Sequence, residues 1–141
     1  MKQSFNNFDD ECQQIRPPYV LVVDDNMDLA DTMSMLLENI GCRVETVYHP
    51  SEALLISEKA SFDFFVLDIG LPDMNGYELV EVLRKREKNQ KATFLAFSAY
   101  GDRAYREKSL ASGFKYHFVK PSDVGKVVEE IMKSPKFSSM N

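Results

Sequence analysis

The chain has 141 residues, of which 44% are hydrophobic and 28% charged, and its net charge is −5. That length holds one ordinary domain and is short for two, and the composition supports a packed core and excludes a wholly disordered chain. The acidic balance has the wrong sign for a domain whose task is to grip nucleic acid unaided. No apolar run reaches the roughly 18–20 residues that span a bilayer. The opening residues lack the apolar core of a signal peptide. The expectation is a cytoplasmic protein with neither a membrane nor a nucleic acid as partner. Cys12 and Cys42 lie far apart and form no CxxC pair, so both are read as free thiols in a reducing compartment.

Residues 1–18 are polar, carry Asp9, Asp10 and Glu11, and end in Pro17-Pro18. They read as an extension outside the fold. Tyr19-Val20-Leu21-Val22-Val23 is a continuous β-branched and apolar run, the pattern of a strand buried on both faces. Asp28 to Ile40 places Leu29, Met33, Leu36, Leu37 and Ile40 at helical spacing, and Gly41 stands where a helix stop is expected. Arg43 to Val47 alternates like a strand. Pro50 to Ala60 reads as a short helix with Pro50 in its first turn. Phe64-Phe65-Val66-Leu67 is a second buried strand, and Tyr77 to Glu87 a helix with Leu79, Val80 and Leu83 on one side. Thr93 to Phe97 reads as a strand, Arg103 to Ser112 as a helix closed by Gly113, and Tyr116 to Val119 as a fifth strand. Asp123 is placed to cap a last helix carrying Val127, Val128, Ile131 and Met132. Residues 135–141 read as a short tail. The folded part is thus 19–134.

Strict strand–helix alternation implies right-handed crossovers and an α/β fold, a doubly wound parallel sheet of five strands with five helices. In such a sheet the ligand site lies beyond the carboxyl ends of the strands. Asp24-Asp25 follow the first strand, Asp68 the third, Ser98-Ala99 the fourth, and Lys120-Pro121 the fifth. The fold therefore gathers three carboxylates, a hydroxyl and an ammonium at one edge. Clustered carboxylates repel one another and call for a cation. Oxygen ligands without His or Cys suit a hard ion such as Mg²⁺. Beside such an ion, a lysine and a hydroxyl cradle phosphate oxygens, and an ionised Asp can attack phosphorus without losing a proton.

These residues, with the segments Val20-Leu21-Val22-Val23-Asp24-Asp25-Asn26, Leu67-Asp68-Ile69-Gly70-Leu71-Pro72-Asp73-Met74-Asn75-Gly76 and Phe118-Val119-Lys120-Pro121, resemble the signature of response-regulator receiver domains, the phosphoacceptors of two-component systems and phosphorelays. The wording is similar to receivers that work with hybrid sensor kinases. The resemblance implies a flavodoxin-like sheet of order 2-1-3-4-5. It implies Asp68 as phosphoacceptor, and Asp25, Asp68 and the carbonyl of Gly70 as Mg²⁺ ligands, with Asp24 acting through a metal-bound water. Lys120, Ser98 and the amide of Ala99 would contact the phosphoryl group. Ser98 would swing inward on phosphorylation, and the Lys120–Pro121 bond would be cis. The partners implied are a histidine kinase or histidine phosphotransfer protein and a downstream protein target, met as a monomer or weak dimer. The protein would act as a signalling domain that catalyses its own phosphorylation and slow dephosphorylation, not as a conventional enzyme.

Two departures from the family pattern stand out. His117 takes the switch position where Tyr or Phe is common. Gly70 and Tyr100 occupy positions that would govern water access to an acyl phosphate.

Each residue also has a plainer reading. Asp24-Asp25 fit a helix start, Asp68 a loop, Ser98 a strand end, Lys120 solvent, His117 a half-exposed strand position, and the Arg84–Lys88 basic run a solvated helix end. The ordered coincidence at the strand ends outweighs these. A haloacid-dehalogenase-like phosphohydrolase needs a DxD at the first strand, where this chain has Asp24-Asp25-Asn26. The other alternative is a degenerate receiver that takes no phosphate and serves as a scaffold.

Overall fold

The computed structural model describes residues 16–140, so Cys12 and the first fifteen residues lie outside the described part. Five strands form one parallel sheet: β1 (Tyr19–Val23), β2 (Arg43–Val47), β3 (Phe64–Leu67), β4 (Thr93–Ser98) and β5 (Tyr116–Val119), in the order β2-β1-β3-β4-β5. Helices α1 (Met27–Asn39), α2 (Pro50–Lys59), α3 (Gly76–Lys85), α4 (Arg103–Ser112) and α5 (Val124–Met132) alternate with them. The doubly wound parallel sheet expected from the strand–helix alternation, and the flavodoxin-like order implied by the resemblance, are both observed. Among the described residues no helix is long and apolar enough to cross a membrane.

The continuous apolar strands work because each sends alternate residues to opposite faces. Leu21, Val23, Phe65, Leu67, Phe94 and Ala96 join Ala53 of α2 and Tyr77, Leu79, Val80 and Leu83 of α3 in one core. Val20, Val22, Phe64, Val66, Leu95 and Phe97 meet Ala30, Met33 and Leu37 of α1 and Val127 and Ile131 of α5 in the other. Burying two faces fixes register tightly, since a one-residue slip would exchange the two sets of side chains.

Several local details differ from expectation, each through a contact made at long range or at a cap. Helix α1 is capped by Asn26, whose Oδ1 accepts from the N–H of Leu29 (3.2 Å). Asp123 does not cap α5 with its side chain; its Oδ2 instead accepts from Val119 N–H (2.9 Å) across the Lys120–Pro121 turn. The basic run is not simply solvated. Arg86 Nη1 donates to Leu54 O (2.9 Å) and Ser57 Oγ (2.7 Å), and Lys88 Nζ to Glu58 O, so both tether the end of α2. Residues 135–140 form a sixth short helix, α6 (Pro135–Met140). Its Phe137 packs on the second core, and its Lys136 pairs with Asp63 (2.9 Å). Cys42 is a buried free thiol whose pKa burial pushes up to about 11.

Candidate functional site

Asp24, Asp25, Asp68 and Lys120 meet beyond the carboxyl edge of the sheet, and the backbone carbonyl of Ser98 accepts from Lys120 N–H (2.8 Å). Asp24 continues β1 and Asp68 continues β3, and they sit side by side because Val23 pairs with Leu67 in parallel register. Asp24 and Asp68 are buried, whereas Asp25 is exposed. One carboxylate oxygen from each of Asp24, Asp25 and Asp68 lies within 4.8 Å of the others. Local bonds aim two of them. Asp24 Oδ1 accepts from Asn26 N–H (3.0 Å), and Asp68 Oδ1 from Gly70 N–H (3.2 Å).

Lys120 arrives from the end of β5. Its Nζ is 2.6 Å from Asp24 Oδ2 and 3.3 Å from Asp68 Oδ2, with the side chain nearly buried. The Lys120–Pro121 peptide is cis. Ser98 ends β4 fully buried, and its Oγ accepts from Tyr100 N–H (3.1 Å). Within the described residues that hydroxyl is bonded only as an acceptor, so its proton is free to be donated.

The electrostatics follow from burial. Removing Asp68 from water penalises its ionised form most, and the charge of Asp24 adds to this. Lys120 and the Gly70 amide oppose the rise, and the carboxyl settles at about 6 against an ordinary 3.8. One ammonium does not balance three carboxylates, so the pocket keeps an uncompensated negative charge.

The donor set fits a hard divalent ion. It offers oxygen only, and one oxygen from each of the three carboxylates lies within 4.8 Å of the others, so the three can face one ion of the Mg²⁺ kind.

Gly76 is a site residue that pattern reading passed over. A Cβ there would stand 2.4 Å from Asp68 O and 2.7 Å from Ile69 Cα, so no side chain is accommodated. Its N–H donates to Ile69 O (2.9 Å), which holds the Asp68 loop against the start of α3. The only sequence signal was its place four residues after Pro72. The two variable positions meet each other. The ring of Tyr100 lies 3.7 Å from where a Cβ on Gly70 would be, and it stacks on Tyr105 (4.9 Å between centroids). His117 is bonded at both ring nitrogens, Nδ1 to Ser109 Oγ (2.7 Å) and Nε2 to Tyr100 O (2.6 Å).

Residues 20–132 match the model of the response regulator receiver domain family. An uncharacterized 14.6 kDa protein of Leptolyngbya boryana is 34% identical, over 74% of this chain and 79% of its own length. The regulatory protein VanRc of Enterococcus gallinarum is 30% identical over 79% of this chain, but only 47% of that protein is covered. For hybrid signal transduction histidine kinase L of Dictyostelium discoideum the values are 32%, 83% and 7%. Thus the chain spans most of the first relative, about half of the second and a small part of the third. Among solved structures, the chemotaxis response regulator CheY4 of Vibrio cholerae superposes with a TM-score of 0.75 at 27% identity. That match covers 82% of this chain and 98% of the other. A CheY-like receiver domain protein from Methanospirillum hungatei gives 0.76 at 27% identity, covering 87% and 96%.

Proposed function

The chain belongs to the response regulator receiver domain family, and on that premise we propose that it accepts a phosphoryl group on Asp68 from a phospho-histidine and signals by protein contact. The observation that carries this reading is the seating of Asp68, buried beside Asp24 and Asp25 and 3.3 Å from Lys120 Nζ. A carboxylate in a merely structural ion pair does not need a second and third carboxylate against it.

The roles follow from chemistry at each atom. Asp68 is ionised at neutral pH and has no proton to lose, so its oxygen attacks phosphorus directly. The P–O bond forms as the P–N bond to the donor imidazole breaks, and the imidazole leaves carrying a proton from solvent. Lys120 can turn its ammonium from Asp24 toward the transferred oxygens and offset their charge. Ser98, with its hydroxyl proton unused, donates to the same oxygens, as does the amide of Ala99. Asp24, Asp25, Asp68 and the carbonyl of Gly70 would hold Mg²⁺, which when bound neutralises the clustered carboxylates and the equatorial phosphoryl oxygens. Hydrolysis of the product would be slow, because Tyr100 over Gly70 narrows the approach of water.

Receiver domains interact with histidine kinases or phosphotransfer proteins, and two of the relatives named above carry a kinase or regulator description. The output proposed is a shift in the surface formed by α4, β5 and α5 when Ser98 moves. The test is phosphotransfer from a radiolabelled phospho-histidine donor, such as a phosphorylated phosphotransfer domain. Label should move to this chain in Mg²⁺ and not to its Asp68→Ala variant. Absence of transfer from that donor and from small phosphodonors alike would leave a scaffold in its place.

A further inference from the structure

We infer that a basic groove at the amino edge of the sheet is the docking site of the chain's own acidic segment, Asp9-Asp10-Glu11, which thereby keeps other acidic segments out of it. The inference goes beyond the phosphoacceptor reading and does not depend on it. Two adjoining cavities of about 440 and about 300 Å³ open at that edge and share Arg16, Asp63 and Lys136. Arg43 lines the first, and Lys88 and Lys91 line the second. Five cations thus face one carboxylate, in a chain whose net charge is −5. Asp63 stands immediately before β3 as Asp68 stands immediately after it, so the groove lies a strand's length, about 16 Å, from the phosphoacceptor.

Several of these cations are held in place. The Arg43 guanidinium lies over the Tyr19 ring, 4.3 Å from its centroid. Lys136 pairs with Asp63 at 2.9 Å, and the Asp63 carboxylate also accepts from Tyr19 N–H (2.8 Å). Lys88 Nζ donates to Glu58 O. Ordering long side chains beforehand lowers the cost of binding. Among the described residues only Lys136 of the five has a carboxylate partner, so Arg16, Arg43, Lys88 and Lys91 leave their charge to be met from elsewhere. Like charges gathered on one concave surface attract a polyanion. They come from four separate segments, the lead into β1, β2, the stretch between α3 and β4, and α6, which suits carboxylates in a row better than one compact anion. The tether decides the occupant. Asp9-Asp10-Glu11, outside the described residues, is the longest unbroken acidic run in the sequence, and Glu11 is five residues from Arg16 on the groove wall. Five extended residues reach about 17 Å. A tether this short raises the local concentration of the segment to the order of millimolar, so a contact that is weak for a free acidic peptide is populated here.

The test is amide NMR of the full chain with Asp9→Asn, Asp10→Asn and Glu11→Gln made together. At low salt the amides of Arg43, Asp63, Lys91 and Lys136 should differ between parent and variant, although each is distant in sequence from the substitutions. Raising the salt to about 0.5 M should move the parent's groove amides toward the variant's, because exposed ion pairs are screened. A synthetic peptide of residues 6–13, added to the variant at about 1 mM, should return those amides toward the parent positions, and should move the parent itself several-fold less because its groove is already occupied. Groove amides identical in parent and variant would overturn the inference, as would shifts no larger there than at Asp25 and Gly70 on the opposite edge. Equal response of parent and variant to the peptide would overturn it too, since it would leave the groove open to an acidic partner instead.

Discussion

Replacing Asp68 by Asn should stabilise the metal-free protein, although it removes the residue on which function rests. Burial and the neighbouring Asp24 charge raise the Asp68 carboxyl from 3.8 to about 6. Below the lower value the group is protonated both folded and unfolded, and it has no effect on stability. As pH rises through the window from 3.8 to about 6, the unfolded chain releases its proton first. Stability is lost across that window and stays lower above it. The shift of about two units corresponds to an upper bound of about 3 kcal/mol. Asn keeps an oxygen for the Gly70 N–H but loses the attraction of Lys120 at 3.3 Å, whereas Lys120 keeps Asp24 at 2.6 Å. The net gain at pH 7.5 should be about 1–3 kcal/mol, or several degrees in Tm. The assay is denaturation of both proteins in EDTA at pH 7.5 and again near pH 4. The gain should be present at the first pH and fall to about half a kcal/mol or less at the second, and Mg²⁺ should narrow it by stabilising the parent. An Asn variant less stable than the parent at pH 7.5 in EDTA, or a difference unchanged at pH 4, would refute the reasoning.

Three further outcomes follow from named contacts. Gly76→Ala puts a methyl group 2.4 Å from Asp68 O, so it should cost about 2–4 kcal/mol in denaturant titrations and slow phosphorylation by displacing the Asp68 loop. Tyr100→Ala opens the approach over Gly70 and should speed loss of the phosphoryl group, read as a shorter half-life of the phosphorylated chain. An unchanged half-life would show that the ring does not shield the acyl phosphate. Deleting residues 135–141 removes the Lys136–Asp63 pair and the packing of Phe137. It should lower stability by about 1–3 kcal/mol, and a Tm equal to the parent's would mean that α6 contributes nothing to the fold.

The strands and most helices were legible because their signals are local. Phe64–Leu67 is apolar throughout and is buried throughout, and Leu79, Val80 and Leu83 recur at helical spacing and face one core. Asp24, Asp68, Ser98 and Lys120 were legible for a topological reason. Parallel crossovers bring every strand end to one edge, so position after a strand is already information about space. What escaped depended on contacts between segments distant in sequence. Nothing around Arg86 announces that its guanidinium reaches Leu54 and Ser57, and nothing around Phe137 announces that it returns to pack beside Gly41. Asp123 had the composition of a cap, but its carboxylate is taken by the Val119 amide. His117 read as a half-exposed strand residue, because the Tyr100 carbonyl that engages it belongs to a loop across the neighbouring strand.

The central claim is that Asp68 becomes an aspartyl phosphate. Intact-mass analysis after incubation with a small phosphodonor and Mg²⁺, alongside an Asp68→Ala control, tests it most directly. The account predicts the gain of one phosphoryl group in the parent alone, lost on treatment with hydroxylamine and absent when EDTA replaces Mg²⁺. An adduct of equal yield on the Asp68→Ala chain, or none on the parent under any donor, would contradict it.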